Sequence, residues 1–366
     1  MFFSKSIAVI NNKSRNPVID VFRAIAILAV VTFHFNNEIA PFGFLGVDLF
    51  FVISGTLIGG ILIKQFKSGQ QINFFKFFFE RGFKIWPSYY FFLAAGTLVS
   101  FCFYRGSAPD QIIPLWDIKR YLFFYQNYTG APFHWSFDHV WSLCVEEHFY
   151  IMLPILFIII QRGQSEKQLL LGAIILTIFS GIAFKFASFY LTHSKDTYSG
   201  THNRIDALAW GVLLSYIIGY HEEKLRVFKY KKIIFLAGAT ALGLSIYYAT
   251  LNTPFYYKVI FHSVVPPCLF LMIMGSYFID LSKLKVLRFI AYYSYNWYLW
   301  HPLFVLFFVQ LFEKGFAGLT LYLITTFTIA IITTTLIEEP LLNYRKAVIN
   351  RIFKEKKGDY LRVRPK

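Results

Sequence analysis

PVIDVFRAIAILAVVTFHFN, residues 17–36, is a run of twenty residues in which only Asp20, Arg23 and His34 can carry charge. At 1.5 Å per helical residue, about 20 apolar residues cross the roughly 30 Å of hydrocarbon in a bilayer. Lipid offers no partner to a bare amide, so such a run must be helical. Working outward, similar runs cover 44–63, 86–103, 144–161, 168–190, 205–220, 233–250, 260–279, 291–312 and 318–337. The predicted fold is therefore all-α, a polytopic integral membrane bundle of about ten transmembrane helices. Composition agrees: of 366 residues 56% are hydrophobic and 15% charged, where a soluble chain carries roughly 25% charged. Mean hydropathy is +0.51. One large water-soluble core is excluded.

Charge sets the orientation. The net charge is +16, which in a membrane protein marks cytoplasmic loops and not a nucleic-acid surface. An even number of spans puts both chain ends on one side. Of the 36 Lys and Arg, Arg23 and Lys185 lie inside spans. Only Arg105, Lys119, Arg120, Lys195, Arg204, Lys258 and Lys314 fall on the side away from the ends. The expectation is a multi-pass protein of the cytoplasmic (inner) membrane with both termini cytoplasmic. The first sixteen residues lack a small-residue cleavage site, so no removable signal peptide is expected. Cys102, Cys144 and Cys268 form no metal-ligand spacing and no even set for disulfides, and no metal is expected. Without repeats of 20–50 residues or inverted halves, the organisation reads as a tail 1–16, one transmembrane domain 17–343 and a basic tail 344–366. The long segment 104–143, rich in aromatics, is expected to pack on the bundle or dip into it.

Charges inside a span are costly and mark function. Arg23 and His34 are eleven residues apart, about three turns, so they share one face roughly 16 Å apart along the axis. Arg23 lies toward the cytoplasmic end and His34 toward the outer end. Taken singly, the arginine could snorkel to headgroups and the histidine could be a satisfied interface residue. Together they offer a guanidinium for phosphate or carbonyl oxygen and an imidazole that takes a proton near neutral pH.

At this pattern the chain resembles the membrane-bound acyltransferase-3 family, which contains bacterial O-acetyltransferases of surface polysaccharides. The resemblance rests on Arg-x10-His in the first span and on GFLGVDLFFVISG at 43–55. It continues through HVWSLCVEEHFY at 139–150, RIDALAWG at 204–211, YLWHP at 298–302 and EEP at 338–340. These run in the family's order from about Asp20 to Arg345. The resemblance implies that Arg23, Arg81 and Lys84 bind the acyl donor, an acyl-CoA arriving from the cytosol. Arg81 and Lys84 stand where the family has Arg-x-x-Arg, and Lys84 departs from it, keeping the charge but losing the bidentate fork. It further implies His34 as catalytic base with Glu147 or Glu146. Both carboxylates are read at the outer entrance of the fourth span, at the depth of His34. Adjacent helical residues point about 100° apart, so at most one faces the imidazole, and Glu147 is favoured. Asp48, Arg204, Asp206 and His301 are either acceptor-binding or structural, with Arg204–Asp48 or Arg204–Asp206 as candidate buried pairs.

The implied reaction is transfer of an acetyl or other short acyl group from cytosolic acyl-CoA to a hydroxyl of an extracytoplasmic or lipid-linked saccharide. Acetyl-CoA would serve as donor substrate, with no resident cofactor and no nucleic-acid partner. Because the chain ends soon after the tenth span, no fused extracytoplasmic hydrolase-like domain is expected. The rival expectation is a transporter or flippase for a glycan or glycolipid, whose charges would serve passage instead of chemistry; a scaffold that has lost its chemistry is a second.

Overall fold

The computed structural model describes residues 15–106, 112–114, 116–129, 134–161, 166–191, 198–251 and 253–353. The tail 1–16 thus lies outside the described residues except for Arg15 and Asn16. No strand occurs among the described residues. The long helices are α1 (Pro17–Phe35), α2 (Leu45–Lys67), α3 (Phe74–Tyr104), α4 (Trp141–Ile160), α5 (Glu166–Leu191) and α6 (Thr201–Val227). They are followed by α7 (Lys231–Leu251), α8 (His262–Ser276), α9 (Lys285–Trp300), α10 (Val305–Phe312), α11 (Phe316–Thr333) and α12 (Glu339–Ile352).

Eight helical stretches are long and apolar enough to cross a membrane. The two other predicted spans take different forms, each for a local reason. Helix α6 is long enough, but Arg204, Asp206 and the charged end at Glu222, Glu223 and Lys224 make it too polar to count by composition. The stretch 291–312 is not one helix: His301–Phe304 forms a 3₁₀ turn between α9 and α10, because Pro302 has no N–H to donate to the carbonyl four residues back. Helix α3 begins twelve residues before the predicted start at 86. Asn73 caps it, its side chain accepting from the Lys76 amide at 2.9 Å, and a run of phenylalanines carries the helix outward. The basic tail is helical over its first nine residues, 344–352, within α12, and its remainder lies outside the described residues.

Packing explains several motif glycines. A Cβ at Gly55 would collide with the Leu208 carbonyl and one at Gly211 with the Val52 carbonyl, so α2 and α6 approach backbone to backbone. Helix α7 buries little but Gly238 and Ser245 within the chain, as expected of a helix that turns its apolar sides to lipid. Described parts of the 104–143 segment pack onto the bundle. Tyr121 and Phe137 are fully buried with Tyr89 and Phe92 of α3, and the Tyr89 hydroxyl donates to the Tyr121 carbonyl at 2.7 Å.

Candidate active site

Helix α1 starts where Asn16 caps it, accepting from the Val18 amide at 2.9 Å, with Pro17 in the first turn. That start brings Arg23 to a small cavity between helices. Its walls are Val47, Phe50 and Phe51 of α2, Ser142, Leu143 and Glu146 of α4, and Ser294, Tyr295 and Tyr298 of α9. Arg23 Nε is buried without a hydrogen-bond partner among the described residues, and Glu146 is the acidic group on the same wall. Glu146 is held in place: the Tyr150 hydroxyl donates to its Oε2 at 2.7 Å and is itself 2.7 Å from Ser54 Oγ.

Tyr298 closes the other end of the cavity, its hydroxyl 2.7 Å from Ser142 Oγ and donating to the His139 carbonyl at 2.9 Å. One turn further along the chain comes the break at Pro302. In an unbroken helix residue 302 would donate to the Tyr298 carbonyl. Proline cannot, and the His301 Nδ1–H takes that carbonyl at 2.8 Å. Other carbonyls near the break are met by side chains as well. His139 Nε2 donates to Leu299 at 3.1 Å, Tyr322 to His301 at 3.2 Å and Tyr104 to Leu303 at 2.8 Å. The break thus gathers two imidazoles, and α1 supplies a third. His34 Nδ1 lies 2.9 Å from the Val30 carbonyl and 3.3 Å from His301 Nε2. The centroids of the His139 and His301 rings are 5.4 Å apart.

These partners assign the neutral tautomers. A carbonyl only accepts, so the neutral His34 ring carries its proton on Nδ1 and leaves Nε2 as the basic nitrogen. Half-buried and without a protein partner among the described residues, Nε2 is free to take a proton from an incoming group.

The structure redistributes the other candidates. Glu147 does not face His34. It is buried on the far side of α4, where Trp86 Nε1 donates to its Oε2 at 3.2 Å and Oε1 has no partner. Nor do the carboxylates share the depth of His34: α4 begins at Trp141, so they fall in its second turn, with Glu146 beside Arg23. The neighbour of His34 is His301, an imidazole in place of the expected carboxylate. Lys84 is engaged in an ion pair with Glu338, which also accepts from Asn296 Nδ2 at 2.8 Å. Arg81 lies over the Phe77 ring at 5.7 Å with Nε buried and unpartnered. Arg204 pairs with Asp48, whereas Asp206 pairs with Lys185 and not with Arg204. Lys185 also donates to the His262 carbonyl at 3.1 Å. His139, Tyr150 and Ser54 received no role from the sequence although all three lie in the motif blocks. Proline after His301 was the available signal that a histidine there meets an orphaned carbonyl.

A helical membrane bundle with a partly exposed imidazole and a guanidinium facing a cavity between helices has the parts of a membrane-embedded transferase. Residues 16–335 match the family described as acyltransferase domain, and the chain belongs to that family. It is 27% identical over 356 residues to the peptidoglycan O-acetyltransferase OatA of Listeria monocytogenes, covering 90% of this chain and 57% of that protein. It is 26% identical over 355 residues to the O-acetyltransferase OatA of Staphylococcus aureus, covering 89% and 57%. The chain therefore spans somewhat over half the length of these relatives. No solved structure matches it.

Proposed function

We propose that this protein is an integral membrane O-acyltransferase. It moves an acetyl, or another short acyl group, from cytosolic acyl-CoA to a hydroxyl of an extracytoplasmic or lipid-linked saccharide. The observation that carries this reading is the first helix itself: Arg23 open to a cavity at one end, and His34 with a bare Nε2 about three turns away. Acyl transfer needs a held thioester, a base for the hydroxyl proton and stabilisation of the oxyanion. In the proposed reaction acyl-CoA enters from the cytosol past Arg81 and lays its pantetheine arm along the cavity. Arg23 faces the phosphate end of that arm, roughly 16 Å along the helix from the carbonyl that is attacked beside His34. The saccharide enters from the opposite face, and His34 Nε2 takes the proton of its hydroxyl as oxygen attacks the carbonyl. The relatives named above make peptidoglycan the first acceptor to try. Both chain ends lie in the cytosol on this reading, and the membrane is the cytoplasmic one.

The test is mass spectrometry of surface glycans from cells carrying the wild-type protein or His34→Gln, with membrane levels matched by immunoblot. Loss of a general base costs about 10²–10⁴-fold in rate, so acetyl esters present with wild type are expected to be absent with the variant. Unchanged esters in the His34→Gln strain overturn the catalytic assignment. Esters that depend on the protein but not on acetyl-CoA supplied to inverted membrane vesicles favour transport over transfer.

A further inference from the structure

The motif histidine His301 sits in a place where its chemistry is fixed by the backbone. Pro302 leaves the Tyr298 carbonyl without its helical donor, and the His301 Nδ1–H fills that vacancy at 2.8 Å. With Nδ1 committed as donor, His301 Nε2 is a bare acceptor. It lies 3.3 Å from His34 Nδ1, and the two rings meet edge to face with centroids 4.9 Å apart. His301 is fully buried, while His34 is half-buried. The acceptor on His301 is therefore aimed at the one nitrogen of His34 that carries a proton in the neutral ring, on the side away from the basic Nε2.

We infer that His301 is the positioning partner of His34, an imidazole whose Nε2 at 3.3 Å shares the His34 Nδ1–H with the Val30 carbonyl at 2.9 Å and so orients the ring and supports its protonated form. This rests on His34 acting as the base. The balance of the step is simple. The acceptor O–H bond breaks and its proton goes to His34 Nε2, while the C–O bond forms and the C–S bond breaks. The Nδ1 proton stays in place, and its hydrogen bond to His301 Nε2 strengthens as charge spreads onto the ring. The Nε2 proton then passes to the leaving thiolate. A carboxylate would hold the imidazolium more strongly. A neutral imidazole leaves His34 uncharged before substrate arrives, which suits a ring set among apolar helices. The titratable groups facing this pair are His139, whose ring centroid lies 5.4 Å from that of His301, and the Tyr298 phenol at 5.6 Å. Tyr322 donates to the His301 carbonyl from α11.

The test is histidine-labelled nitrogen NMR of the full chain in detergent micelles. The His34 and His301 signals are assigned by their loss in His34→Gln and His301→Asn. The wild-type ring of His301 is expected as the Nδ1–H tautomer, and finding its proton on Nε2 overturns the inference whatever the variants' titrations show. In His301→Phe, the proton affinity of His34 is expected to fall about threefold or more, because the imidazolium loses one of its two acceptors and keeps the Val30 carbonyl. In His301→Asn, whose carbonyl oxygen can accept, most of that loss is expected to be recovered. A merely structural role for His301 leaves the His34 titration unmoved in the folded Phe variant, and that result also overturns the proposal. Neither readout depends on turnover. An unmoved titration alongside inactive His34→Gln removes the partnership alone, and acetylation that survives His34→Gln removes the base.

Discussion

Arg204 and Lys185 each form an ion pair with a carboxylate inside the bundle, whereas Arg23 on the first helix faces a cavity and forms no ion pair among the described residues. The contrast separates residues that the motifs alone present as equals. Around Arg204 the charge is cancelled although not every nitrogen is bonded: Asp48 pairs with Nη2 and the rings of Tyr198 and Phe51 lie 4.6 and 5.5 Å from the guanidinium, while Nε and Nη1 have no hydrogen-bond partner among the described residues. Lys185 and Asp206 are both fully buried. Charges cancelled this way tie α2, α5 and α6 together. Around Arg23 no carboxylate closes an ion pair among the described residues, and Glu146, which lines the same cavity, is itself steadied by Tyr150. An arginine kept half-satisfied in a membrane bundle is a cost that a bound anion or carbonyl oxygen offsets.

Breaking the closed pair has the largest expected effect. Asp206→Leu leaves the Lys185 ammonium buried alone, a loss of about 3–5 kcal/mol. It is expected to appear as a large drop in the thermal midpoint and yield of detergent-solubilised protein. The double variant Lys185→Met with Asp206→Leu removes both charges and is expected to recover most of that stability. A single variant as stable as wild type would mean that water reaches the pair and that its role is not structural. The open site behaves oppositely. Arg23→Gln removes a charge with incomplete compensation, so stability is expected to hold or rise. Acetyl transfer at low acetyl-CoA is expected to fall about 10²-fold, the scale of a lost hydrogen bond to a charged group of the donor. If thermal unfolding shows Arg23→Gln to be as damaging as Asp206→Leu, the contrast between the two regions collapses.

The helical bundle was legible because hydrocarbon thickness leaves one solution for a long apolar run. The Arg23 and His34 pair was legible because helical geometry fixes their common face from spacing alone. Partnership between distant residues was not. His301 is 267 residues from His34, and their meeting depends on Pro302 turning the chain between α9 and α10. The sequence displays that proline but not which ring its orphaned carbonyl will hold. Likewise, nothing in VEE at 145–147 says which carboxylate turns toward α1. That is decided by Trp86 of α3, whose indole N–H holds Glu147 while Glu146 lines the cavity with Arg23. Lys185 was visible as a charge inside a span, yet its carboxylate lies on α6, and only the close approach of α5 and α6 selects Asp206 over Arg204's partner.

The two glutamates sharpen the comparison at intermediate size. Glu146→Gln keeps the Tyr150 hydrogen bond through the amide oxygen but removes the negative charge from the Arg23 cavity. Transfer is expected to fall about tenfold, the scale of one charge interaction at a partly hydrated site. Glu147→Gln keeps an oxygen for Trp86 Nε1 and is expected to change transfer less than threefold, within the scatter of ordinary substitutions. Initial rates with acetyl-CoA as the varied substrate check both. The reverse order would restore Glu147 as the site carboxylate and would require α4 to rotate during turnover.

Lys84 gives the smallest effect and the finest distinction. Its ammonium is partly exposed and its partner Glu338 is buried, so the pair contributes no more than about 1 kcal/mol. Asn296 still donates to Glu338 when the lysine is gone, which limits the damage further. If Lys84 serves only this pair, Lys84→Met and Glu338→Gln change stability and rate alike. If it also meets the acyl-CoA phosphates, the two variants part: Lys84→Met is expected to raise the KM for acetyl-CoA several-fold. Glu338→Gln, which frees the ammonium from its anion, is expected to lower it. The sign of that difference, read from KM values in the same membranes, decides whether the basic mouth of α3 belongs with the closed charges or with the open ones.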